Sequence, residues 1–169
     1  MKIIQTQNLT KVYNSNMVPV RALNNVNIEF KEREFTAIVG PSGSGKTTLL
    51  NMLGGLDKPT EGKIMIDGTD ITSLKESKLI DFRLHNIGFV FQNFNLLPVL
   101  TAKENVSFIM LLQKVDSWVM ERRATELLKQ VGLDDKMDVR PSKLSGGQQQ
   151  RVAVASDEHF EREEVKAKV

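Results

Sequence analysis

Eight residues, GPSGSGKT (Gly40 to Thr47), have the types and spacing to hold phosphate. They fit the pattern G-x-x-x-x-G-K-[ST], in which Gly40, Gly43 and Gly45 let the backbone curl until its N–H groups point inward at anionic oxygens. Lys46 adds a positive charge that reaches the β- and γ-phosphates of a nucleotide, and the Thr47 hydroxyl is placed to ligate Mg²⁺. Each charge-assisted N–H bond is worth roughly 1.5–3 kcal/mol, so several together bind tightly without a large apolar pocket. The competing reading is a glycine-rich turn that only caps a helix.

The flanking elements favour the phosphate reading. FTAIVG (35 to 40) is a continuous apolar run, as expected for a strand covered on both faces. After the loop, KTTLLNMLGG reads as a helix ended by Gly54-Gly55, whose positive end would add to the loop's amides. KIIQTQNLTKVY and ALNNVNIEF alternate enough to read as strands, and GKIMIDG and IGFVFQ as two further short ones. From 101 to 131 the pattern turns helical, with Ala124, Leu127, Leu128 and Val131 on one apolar face.

A second anion site is written about a hundred residues later. In LSGGQ (Leu144 to Gln148), Ser145 reads as a helix N-cap, and Gly146-Gly147 leave the helix start with uncovered amides.

With both motifs in hand, the chain resembles the ATP-binding subunit of an ABC transporter. LSGGQQQRVA is similar to that family's signature and GPSGSGKTTLL to its phosphate loop; FVFQNFNLLP resembles its Q-loop segment, centred on Gln92. Tyr13 in TKVY stands where the family places an aromatic residue that stacks on adenine. The resemblance runs from about residue 3 to Ala155, and VRALNNVNIEF, LNMLGGLDKPTEG and IGFVFQNFNLLP look most like the macrolide, lipoprotein and antimicrobial-peptide exporter group.

The resemblance implies an α/β fold of the P-loop NTPase type. Its mixed sheet surrounds a phosphate-loop strand, with a helical subdomain at about 100–145, and is incomplete at the C-terminus. Residues 1–155 would form the ATP-binding domain and 156–169 a charged tail of no recognised domain. It implies ATP and Mg²⁺ as ligands. The candidate nucleotide-binding residues are Tyr13, Gly40, Pro41, Ser42, Gly43, Ser44, Gly45, Lys46, Thr47, Thr48, Gln92, Leu144, Ser145, Gly146, Gly147 and Gln148. Thr47 and Gln92 are the candidate metal ligands. A second ATP-binding subunit, identical or closely related, would pair head to tail so that one subunit's signature closes on ATP held by the other's Lys46. A separate permease would be the membrane partner, placing the chain at the cytoplasmic face of the membrane, with Phe94, Leu96 and Leu97 as candidates for its socket.

The acidic pair Asp157-Glu158 imitates the family's catalytic carboxylates. It stands nine residues after Gln148, at the end of QQQRVAVAS, the helix that carries Val152 and Ala155 on one face. That places it near the end of the signature helix and not on a strand beside the phosphate loop. The alternative is a deletion that joins the helix to a remnant of the acidic motif. No magnesium-orienting Asp, catalytic Glu or switch histidine is identifiable: His85 and His159 read as solvated. The expectation is a marginally stable chain and a poor hydrolase, as in a truncated product.

Bulk properties agree. The 169 residues suit one domain with a small subdomain, 26% are charged, and the net charge of +2 is too small to argue for nucleic acid. Without cysteine, thiolate chemistry is excluded, and no apolar run approaches the length of a membrane span. Eight of the last 14 residues are charged, as in a solvated helix or tail. The lone Trp118 reads as core or rim. Two other functions compete: a soluble ABC-type ATPase without a permease, and a non-catalytic ATP-binding remnant. Only about fifty residues separate Gln92 from Leu144, with no sustained heptads, which speaks against the coiled-coil chromosome type.

Overall fold

In the computed structural model the described residues are 2–14, 18–91 and 93–156. Strand β1 (Lys2–Asn14) runs antiparallel to β2 (Pro19–Val26), to the short β3 (Glu29–Lys31) and to β4 (Glu61–Ile66), and β4 pairs with β5 (Thr69–Asp70). The order across the sheet is β2-β1-β4-β5, with β3 also on β1. One strand serves three partners because it is long: β3 pairs with its start (Lys2 to Gln5), β2 with its end (Leu9 to Asn14) and β4 with its other edge, across a bulge. Asn8 adopts φ +50°, the ladder slips between Gln7 and Thr10, and Gly62 of β4 fills the gap. A Cβ on Gly62 would lie 2.5 Å from the Gln7 and Asn8 carbonyl oxygens, so only glycine lets the two backbones meet there.

Buried polar groups on β1 are satisfied. The Thr6 hydroxyl donates to the Val26 carbonyl at 2.9 Å and accepts from the Ile28 amide at 3.0 Å, tying down the link between β2 and β3. Leu9, Leu23, Ile64 and Ile66 from the strands are buried. So are Met52 and Leu53 of helix α1 (Lys46–Leu53) and Leu79 of helix α2 (Glu76–Asn86).

The chain divides into two compact units at Arg83/Leu84. The second is helical: α3 (Ala102–Leu112), α4 (Ser117–Gln130) and α5 (Gly146–Ser156) pack on one another. Their core holds Ala102, Val106 and Met110 of α3, Ala124, Leu127 and Leu128 of α4, and Val152 and Ala155 of α5, with Leu133 and Leu144 from the connections. The face expected from 124 to 131 is thus the buried one, and Val131 packs at its edge. Thr101 and Glu104 close a capping box at the start of α3, with bonds of 3.2 and 2.7 Å. Trp118, expected in the core or rim, is 62% exposed and lies under the Arg122 guanidinium.

Two expected strands are absent as ladders. Residues 34–40 and 87–91 are in no strand, and Phe35 is 97% and Val39 86% exposed. A run that is apolar on both faces takes its hydrogen bonds and its cover from neighbouring elements. Among the described residues none pairs with either run, whereas every observed ladder is antiparallel and belongs to the sheet around β1. The segment after Ser156, with Asp157, Glu158 and His159, lies outside the described residues.

Candidate functional site

The phosphate loop occupies 40–45 and opens directly into α1. Gly43 and Gly45 take φ +78° and +84°, and the Ser44 amide donates to the Pro41 carbonyl at 3.3 Å, closing the curl. The Lys46 ammonium folds back over it, donating to the carbonyls of Gly40 at 2.8 Å and Pro41 at 2.7 Å and to the Ser44 hydroxyl at 3.3 Å. Gly45 caps α1 without a side-chain bond, and no acidic residue stands in the first turn. The open first-turn amides therefore face solvent with a helix dipole behind them and a cation beside them. Pro41, Ser42 and Thr47 are exposed, and Thr48 is half-buried.

That donor set fits a triphosphate: amides, one ammonium and four hydroxyl-bearing residues, Ser42, Ser44, Thr47 and Thr48, with no acidic residue in the first turn of α1. It also fits a magnesium ion carried in by the nucleotide. Among the described residues no cluster of three His, Asp or Glu side chains could hold a metal, and Mg²⁺ characteristically takes one or two protein groups plus phosphate oxygens and water. Thr47, exposed in the first turn of α1, is the residue that would supply such a group; Gln92 lies outside the described residues.

The β1–β2 hairpin is keyed to this loop. A Cβ on Gly45 would come within 2.5 Å of the Ala22 carbonyl oxygen and 3.4 Å of the Leu23 side chain. Leu23 is the partner of Lys11 across the ladder, and Tyr13 pairs with Val20 two positions further along β1. At about 3.4 Å per strand residue, Tyr13 follows the loop's backbone contact by roughly 7 Å along the hairpin. Tyr13 is 40% exposed and donates its hydroxyl proton to Asp57 Oδ2 at 2.9 Å. Lys11 Nζ sits 4.8 Å from the Tyr13 ring centroid and pairs with Asp57 Oδ1 at 2.8 Å. Burial works to raise the Asp57 carboxyl, but bonds from Lys11, Tyr13 and the Lys58 amide outweigh it and hold it below the ordinary aspartate value.

The signature heads α5. Ser145 Oγ accepts from the Gln148 amide at 3.3 Å and Gln148 Oε1 accepts from the Ser145 amide at 2.9 Å, a reciprocal capping box. Gly146 and Gly147 are exposed, with nothing within 4 Å of a Cβ on either. Leu144 behaves differently from its neighbours: it is 5% exposed and belongs to the helical core, so its side chain anchors the motif. Gln149 fastens the turn by donating to the Pro141 and Leu144 carbonyls, both at 3.0 Å.

Beyond Gln92, Phe94 and Asn95 take positive φ, and Leu96 packs on the helical core. Leu97 is 38% exposed, while its backbone amide and carbonyl are held by the Asn105 side chain at 2.7 and 3.2 Å. His85 is half-buried on α2. Lys11, Asp57 and Asn105 are the site-supporting residues that sequence reasoning missed; nothing in the local pattern marks them.

A curled glycine loop that opens a helix from beside a twisted hairpin defines a phosphate-loop nucleotide-binding protein. Residues 23–157 match the ABC transporter family model. The chain therefore belongs to the ABC transporter family, as an ATP-binding portion of it. It is 49% identical over 154 residues to an ABC transporter ATP-binding protein of Thermotoga maritima, covering 91% of this chain and 66% of that one. It is 41% identical over 153 residues to the macrolide export ATP-binding/permease protein MacB of Brucella melitensis, covering 90% of this chain and 24% of MacB. The ATP-binding cassette MJ0796 of Methanocaldococcus jannaschii, solved as a dimer in a post-hydrolysis state with ADP and Pi, superposes with a TM-score of 0.85 at 45% identity. That superposition covers 92% of this chain and 68% of the cassette. Among the described residues no helix is long and apolar enough to cross a membrane.

Proposed function

We propose that this chain binds MgATP through its phosphate loop and Tyr13, and pairs head to tail with a second ATP-binding subunit so that nucleotide binding drives a membrane permease. The observation that carries this reading is the pair of open helix starts. One is curled around the Lys46 ammonium, the other is held open by the Ser145–Gln148 box, and each sits in its own unit. A single triphosphate satisfies both when they come from opposite subunits, and likeness to a cassette solved as a dimer supports that arrangement.

Within this reading the amides of 43–48 and Lys46 hold the β- and γ-phosphates, Thr47 and Gln92 complete the magnesium shell, and Tyr13 stacks on adenine. Ser145, Gly146 and Gly147 present hydroxyl and amide donors to the γ-phosphate of the partner's nucleotide. Bound Mg²⁺ would neutralise phosphate charge, while the protein orients and encloses the chain of phosphates. Between Gln92 and Leu144 the helices α3 and α4 are 11 and 14 residues long, which favours a transporter over a coiled-coil chromosome ATPase. Leu97, exposed on a backbone pinned by Asn105, suits the permease socket.

The chain has no cysteine, so disulfide trapping has a clean background. With Ser42→Cys and Ser145→Cys in one chain, oxidation should give a crosslinked dimer with MgATP and little without it. Equal crosslinking in both conditions, or none at saturating ATP, rules out the shared site. A Leu97→Asp chain that still captures its permease normally removes the socket assignment.

A further inference from the structure

The polar group at the end of β1 does more than decorate a strand. Asp57 comes from the turn that follows α1, so it is joined through a short turn to the helix that carries the phosphate loop. Its two carboxylate oxygens are divided: Oδ1 takes the Lys11 ammonium and Oδ2 the Tyr13 hydroxyl. Lys11 is further held by the Lys58 carbonyl at 2.7 Å and lies over one face of the Tyr13 ring. A tyrosine at a strand end is otherwise free to change rotamer, and a stacking platform that moves must pay ordering entropy when a base arrives.

We infer that Lys11 and Asp57 are positioning residues that set the Tyr13 ring, with the ammonium over one face, at a fixed distance from the phosphate loop, so that a nucleotide's base stacks while its triphosphate is held. The inference rests on the ATP-binding reading and deepens it. The ring is fixed at both its edge and its face, and the fixing group belongs to the same helix-and-turn as Lys46. Base end and phosphate end are thereby both referred to α1 and the turn that follows it.

The alternative, a tie that merely fastens the turn at 56–60 to β1, makes a different prediction. MgATP and magnesium tripolyphosphate, which lacks a base, are each titrated into the full chain as wild type, Asp57→Asn, Lys11→Met, Tyr13→Phe and Tyr13→Ala. Asp57→Asn and Lys11→Met are expected to weaken MgATP about fivefold and leave tripolyphosphate unchanged. Tyr13→Phe keeps the ring but loses the hydroxyl tie, and should fall between wild type and Tyr13→Ala. In the Tyr13→Ala background, Asp57→Asn should have no further effect. Equal weakening of both ligands, no change in either, or full additivity with Tyr13→Ala overturns the clip alone. Wild-type protein that binds neither ligand overturns the clip together with the ATP-binding reading.

Discussion

Gly45 and Ala22 are in contact that admits no side chain: a Cβ on Gly45 would stand 2.5 Å from the Ala22 carbonyl oxygen. This approach seats the phosphate loop against β2 and, through the ladder, sets its distance from Tyr13. Gly45→Ala meets both that clash and the cost of φ +84°. We expect a loss of roughly 2–4 kcal/mol in urea unfolding and at least a tenfold loss of ATP affinity. A variant that melts and binds like wild type would show that the loop is not seated this way.

Ser145 has two roles that a single substitution can separate. Aspartate caps a helix about as well as serine, so Ser145→Asp should leave the thermal midpoint near wild type. Its negative charge, however, faces the position assigned to the partner's γ-phosphate, and ATP-dependent dimerisation should disappear in analytical ultracentrifugation. Gln148→Ala should instead lower stability, by about 1 kcal/mol, because it opens the capping box.

Asn105 is 6% exposed and donates to the carbonyls of Leu97, Leu100 and Thr101 while accepting from the Leu97 amide. Replacement by leucine takes the side-chain partner from the Leu97 amide and the Leu100 carbonyl in a buried site, while the Leu97 and Thr101 carbonyls keep the backbone amides of Leu100 and residue 105. Asn105→Leu should destabilise the helical unit by about 2–4 kcal/mol and raise amide exchange across 97–101. Unchanged exchange there would mean that the loop beyond Gln92 is held by something else.

The Asp57 carboxyl is depressed on folding, so its contribution to stability is fully present above the pH at which a free aspartate titrates. It is lost as pH falls through the lower, folded value. Wild type should therefore lose more stability than Asp57→Asn between about pH 5 and pH 2, and the two curves should run parallel above that range. Parallel curves throughout would mean that the Lys11 and Tyr13 bonds do not favour the charged form.

Several features were legible without a structure because they are local. The curl at 40–45 follows from where glycine can sit, and α1, α3, α4 and α5 follow from apolar spacing and from caps that bond three residues ahead. FTAIVG and IGFVFQ were misleading in the described structure for the complementary reason. A strand is completed by its neighbours, and composition says what a segment could bury without saying what lies beside it.

By itself, then, the amino-acid order determined the phosphate-binding loop, the capped signature helix and the family to which the chain belongs, since each is carried within a short window of bonds and dihedral preferences. Tertiary structure alone decided which residues stand around those motifs. Lys11 and Asp57 meet across 46 positions, Gly45 meets Ala22, and the Leu144 side chain turns into the helical core. Such contacts depend on strand register and helix packing, which bring distant residues together through the summed burial of many side chains.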